Sequence, residues 1–176
     1  MVRTPAELSA CFAIPEMDRG DAYRDWVNLP SSWGKTPRES IEQECERRGK
    51  DAVVAGCIEL LGGGESDAEL ILALGGPPAR WVVTGAPSGP PYWLRVWATR
   101  GLLWAWDDAA LQSIEVALND DAWRVREMAL KVVARHRLED TVLTVVELQE
   151  DPAARVRAAA SRALMRISAR GECPPQ

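Results

Sequence analysis

The chain has 176 residues, 47% apolar and 27% charged, with a formal net charge of −5. That profile fits one folded domain and excludes a disordered or low-complexity chain. No run approaches the roughly 20 apolar residues of a membrane span, and the acidic balance argues against nucleic-acid binding over the whole surface.

Residues 1–35 contain no continuous apolar run of the signal-peptide kind and carry Glu7 early, so a cytoplasmic chain is expected. They are read as an N-terminal cap of short helices and loops. Thr36-Pro37-Arg38-Glu39 has the form of a capping box with proline at the first helical position. A helix should therefore start at Pro37 and end near Gly49. Asp51 opens a second helix, which Gly62-Gly63-Gly64 stops. Ser66-Asp67-Ala68-Glu69 reads as another capping box, heading the run ELILAL, and Gly75-Gly76-Pro77-Pro78 ends that helix. Residues 36–88 are thus expected to hold degenerate helical repeats. If 67–74 is the first helix of a pair whose second lies at 90–105, then 75–89 is an insertion, and its Gly and Pro content makes it a loop.

From Gly89 the chain repeats itself every 31 residues. GPPYWLRVWATRGL (89–102) aligns without gaps on DDAWRVREMALKVV (120–133) and on DPAARVRAAASRAL (151–164). Arg95, Arg126 and Arg157 share a column, as do Ala98, Ala129 and Ala160. Leu94, Val125 and Val156 form an aliphatic column, and so do Leu102, Val133 and Leu164. Each copy reads as a helix B, with Asp151 as N-cap and Pro152 at the first helical position. A helix A precedes each of the last two: Leu111, Ile114, Ala117 and Leu118 lie on one face, and Val142, Val145 and Leu148 take the matching offsets. One such pair cannot bury its apolar face alone, but stacked pairs share a continuous core.

The pattern Asp151, Arg155, Val156, Arg157, Ala160, Ala163, Leu164 resembles a HEAT-like repeat of the short type found in phycobilisome lyase subunits. The resemblance covers about 89–169 and departs at Gly89, where the family has Asp. It implies an all-α fold: a short α-solenoid of stacked helical hairpins over 89–170, behind an irregular helical cap, with a disordered tail at 171–176. It also implies that the column of Arg95, Arg126 and Arg157 pairs with the loop aspartates Asp120 and Asp151 and ties neighbouring repeats together.

No catalytic constellation is legible. Cys11, Cys45, Cys57 and Cys173 are scattered, without a C-x-x-C pair, and are read as free thiols. His136 is the single histidine; it falls near the end of a helix B, where the dipole favours its charged form. No phosphate loop, dinucleotide fingerprint or zinc motif occurs. No metal, no cofactor and no enzymatic activity are expected.

The candidate binding surface is the stripe beside the core stripe of helix B. It reads Trp93, Trp97, Arg100 and Trp104 in the first copy. The second gives Arg124, Met128, Lys131 and Arg135, and the third Arg155, Ala159, Arg162 and Arg166. Helix B lines the concave side of such solenoids, so this surface runs from aromatic to basic along the array; the equal alternative is a solvated basic face with the tryptophans buried under the 75–89 insertion. Residues 1–119 carry 11 Lys and Arg against 17 Asp and Glu, whereas 120–170 carry 10 against 8. The surface suits a partner protein or peptide of acidic character, since Trp and Arg are enriched at binding hot spots. A nucleic-acid reading also follows, because HEAT-like alkylpurine DNA glycosylases use tryptophans, arginines and an aspartate, which Trp104-Ala105-Trp106-Asp107-Asp108 resembles in content. A bilin-lyase-like subunit is a third expectation, from repeat type alone.

Overall fold

The computed structural model describes residues 34–84 and 89–169. The cap expected over 1–35, save Gly34 and Lys35, and the tail expected over 171–176 lie outside them.

Helix α1 (Pro37–Arg48) starts where its capping box predicts. Thr36 Oγ1 accepts the Glu39 N–H at 3.2 Å, and the Glu39 carboxylate accepts the Thr36 N–H at 2.7 Å. Gly49, at φ 92°, turns the chain directly into α2 (Lys50–Leu61). Helix α3 (Ala68–Gly75) differs from expectation at its start: the cap is Asp67, not Ser66. Its Oδ1 accepts the Leu70 N–H at 2.8 Å. Arg48 grips both Asp67 oxygens, at 2.6 and 2.9 Å, and so fixes a negative charge at the positive helix end. Glu69, the expected second half of the box, is drawn instead to Arg47 at 2.7 Å.

The stretch 75–89, expected as a loop, is partly helical. It holds a 3-10 turn at Pro77–Ala79 and a short helix α4 (Trp81–Thr84). Two prolines with φ held near −65° suit the first turn of a helix, and Ala79 is fully buried beneath them.

Five helices follow: α5 (Tyr92–Trp104), α6 (Leu111–Leu118), α7 (Trp123–His136), α8 (Val142–Glu147) and α9 (Ala154–Ser168). The helix-B members α7 and α9 begin about two residues later than Asp capping predicts. Asp120 accepts the Ala122 N–H at 2.8 Å and Asp151 the Ala153 N–H at 2.7 Å, ahead of the helix rather than within it. Each carboxylate closes an Asx turn because both its oxygens also face an arginine of the preceding repeat.

Helices α5, α7 and α9 pack side by side, and α6 and α8 form a second row against them. Helix α2 touches α5, α6 and the 3-10 turn at Asp108–Ala110, so it takes the helix-A place in front of α5. Helix α3, expected in that place, packs on α1 and on α5. The core between the rows is the predicted stripe: Leu102, Ile114, Leu118, Val125, Ala129, Val132, Val133, Val145, Val156, Ala160 and Ala163 are buried. Helix α5 sits hard against α2 and α3 at Gly101, where a Cβ would come within 2.5 Å of Cys57 Sγ and 2.6 Å of Leu74. No described helix is long and apolar enough to cross a membrane.

Candidate functional site

The repeated arginines form a ladder. Arg95 Nε and Nη2 meet Asp120 at 2.6 and 3.0 Å. One repeat on, Arg126 Nε and Nη2 meet Asp151 at 2.7 and 3.1 Å. The third nitrogen of Arg126 reaches back to the Asp120 carbonyl at 2.6 Å, and Arg157 does the same to the Asp151 carbonyl at 2.7 Å. Arg126 and Arg157 thus pin the starts of their own helices, and Arg95 and Arg126 hold the turn that begins the next. Burial pushes the Asp120 carboxyl upward, but the Arg95 fork and the Ala122 N–H more than offset it and leave it below its usual value.

The candidate stripe divides into buried and open rows. Its second row, Trp97, Met128 and Ala159, is core. Trp97 is only 5% exposed and packs over Gly75 at the end of α3, so it is not a surface anchor. Arg100 is half-buried and donates through Nη2 to the Leu74 carbonyl, one of the acceptors left open at the C-terminus of α3. Ser40 serves the neighbouring Ala73 carbonyl at 2.9 Å. Both Trp97 and Arg100 therefore join α5 to α3. Lys131 pairs with the buried Glu127 at 3.1 Å, and Arg155 lies 3.7 Å from the same carboxylate.

The remaining rows are aromatic and basic. Trp93 stacks on Trp97 at 6.2 Å. The Arg124 guanidinium lies 4.4 Å from the Trp123 ring and 5.6 Å from Trp93. Trp104 is half-buried, with Arg135 at 4.2 Å and Arg38 at 5.2 Å from its ring. Arg162 and Arg166 are exposed on α9. Trp123 and Arg38 were not singled out from the sequence. Trp123 shares a column with Tyr92, and that repeated aromatic was the available signal. Arg38 lies outside the repeat and gave none.

Charge is segregated by element. Helices α5, α7 and α9 carry ten Lys and Arg against the single acid Glu127. The connecting segments 105–122 and 137–153, which include α6 and α8, carry ten Asp and Glu against the single base Arg137. One row of helices is therefore basic, and the segments linking its members are acidic.

Burial quiets both His136 and Cys57. The His136 ring stacks on Trp106 at 4.8 Å and donates from Nε2 to the Leu102 carbonyl at 3.1 Å. Burial lowers its pKa and outweighs that carbonyl, so the dipole argument, which favours the charged form, loses here. Burial also pushes the Cys57 thiol up to about 12, which keeps it protonated and unreactive. Cys11 and Cys173 lie outside the described residues.

A family model described as HEAT repeats matches residues 82–174. Comparison with curated proteins returned no match, and neither did comparison with solved structures.

Proposed function

The chain belongs to the HEAT-repeat family, and on that premise we propose that it is a non-enzymatic interaction module holding a partner protein or peptide on its helix-B face. HEAT repeats are in general protein-interaction scaffolds. The observation that carries the reading is the segregation of charge, ten basic residues on the helix-B row and ten acidic residues in the segments between. Random surface charge does not sort itself by element, and a charged face of one sign steers a partner of the other. Of the stripe expected from the sequence, Trp93, Trp104, Arg124, Lys131, Arg135, Arg155, Arg162 and Arg166 remain candidates for contact. Trp97 and Arg100 are assigned to the fold.

The test is affinity capture from the native host with the unaltered chain and with the double variant Arg135→Glu, Arg166→Glu. We expect the variant to lose the captured partner while melting at nearly the same temperature, since both side chains are exposed. Recovery of the same partner by both proteins overturns the reading. Capture of nucleic acid instead, with affinity falling steeply as salt rises, would move the module to the other class. The acidic segments that interrupt the basic row weigh against that outcome.

A further inference from the structure

We infer that Arg135, Arg162 and Arg166, beside Trp104, receive an acidic peptide segment in extended conformation whose carboxylates recur every third residue. This rests on the proposed function and names the partner's chemistry.

Three observations carry it. First, Arg135 is held but not neutralised. Its guanidinium lies on the Trp104 ring at 4.2 Å, with Arg38 over the same indole. Stacking engages the flat face of a guanidinium and leaves its in-plane N–H fork free to take a carboxylate in bidentate fashion. No carboxylate among the described residues pairs with Arg135, Arg162 or Arg166, whereas Arg38, Arg95, Arg126 and Lys131 all have acidic partners. The C-terminal helix dipole offsets about half a unit of charge per helix, and α9 carries four arginines and no acid.

Second, the spacing is set by the fold. Arg135 and Arg166 are the same repeat position, 31 residues apart, on the adjacent helices α7 and α9. Packed helices lie about 8–10 Å apart. An extended chain covers roughly 10 Å in three residues. A peptide crossing these helices therefore offers carboxylates to both arginines at positions i and i+3. Trp104, one repeat earlier in the same row, supplies an indole edge for an apolar residue beside them.

Third, acids border the row. Asp107 and Asp108 follow α5, and Glu139 and Asp140 follow α7. A nucleic-acid backbone carries a charge at every nucleotide and would run over these carboxylates. A peptide places its charges only where the forks are.

The test is fluorescence anisotropy with labelled twelve-residue peptides at about 0.15 M salt. One repeats Glu-Ser-Ser, one repeats Gln-Ser-Ser, and one gathers its four Glu in a block. We expect the periodic Glu peptide to bind more tightly than either control. Arg135→Ala and Arg166→Ala should each weaken it roughly tenfold, the scale of a lost charge-assisted hydrogen bond. Arg135→Lys, which keeps the charge but not the fork, should weaken it nearly as much. Lys50→Ala, off the row, should change nothing, and circular-dichroism melts should show all four variants folded.

Equal binding of the block and periodic peptides overturns the spacing. Unchanged binding by Arg135→Ala overturns the site. Tighter binding of a twelve-residue oligothymidylate assigns the row to nucleic acid, and a dimer that Arg135→Ala dissolves assigns it to a second copy of the chain. If no acidic peptide binds while the double variant still loses its native partner, the acidic class fails and the interaction module stands.

Discussion

Trp97 and Trp104 lie seven residues apart on one helix face, yet only one of them is core. Trp97 is buried because α3 ends against it: a Cβ at Gly75 would come within 2.8 Å of the indole. The next repeats place Met128 and Ala159 there, also buried, so the same position is filled by ever smaller side chains along the array. Helical spacing places 93, 97, 100 and 104 together, but it is silent about which segment covers them. Gly75 opens the 75–89 insertion, so burial of Trp97 there was one of two readings the sequence left open, and the repeat pattern could not choose between them. We expect Trp97→Ala to destabilise the fold by about 3–5 kcal/mol, measured by urea denaturation. Trp104→Ala, half-buried between two arginines, should cost less than half as much. Equal losses would mean that Trp104 too is core.

Among the elements, the rungs between repeats do what a single helix pair cannot. Asp151 is nearly buried, with a side chain 4% exposed, and its partner Arg126 is 15% exposed. Removing one member of such a pair strands the other and costs about 3–5 kcal/mol. Asp151→Ala should show that loss in chemical denaturation. Asp121→Ala removes a carboxylate that is 91% exposed and should change stability by well under 1 kcal/mol. If the two variants were alike, the ladder would be ornamental. The ladder was legible in the 31-residue register, through columns that keep arginine and aspartate. The true helix starts were not, because an aspartate that caps a helix and one that closes a turn two residues earlier look the same in a sequence.

Across the whole molecule, acid should act in two stages. His136 is held neutral by burial, so the unfolded chain takes up a proton near pH 6.5 while the folded ring resists it. Stability is full above that pH and falls as the pH drops toward the lowered folded value. The Arg48 bonds hold the Asp67 carboxyl far below its usual range, and Asp120 is also lowered. Below about pH 4 the unfolded state again binds more protons, and a second loss follows. Melting temperatures between pH 8 and 3 should show both stages, and His136→Gln should lack the first. Persistence of that first stage in His136→Gln would assign it to another group. At this scale the order and pairing of helices in the regular half were legible. The earlier half was not, because α2, rather than α3, takes the helix-A place in front of α5, and no residue pattern marks that choice. The ladder has a last consequence. The segment from Asp120 to Glu150 starts with the aspartate an upstream arginine grips and contains the arginine that grips a downstream aspartate. A duplicate spliced in after Glu150 would find both partners already in place. The array can thus lengthen by whole units of one repeat without leaving a rung of the ladder unpaired, so the length of its helix-B face is open to change by duplication alone.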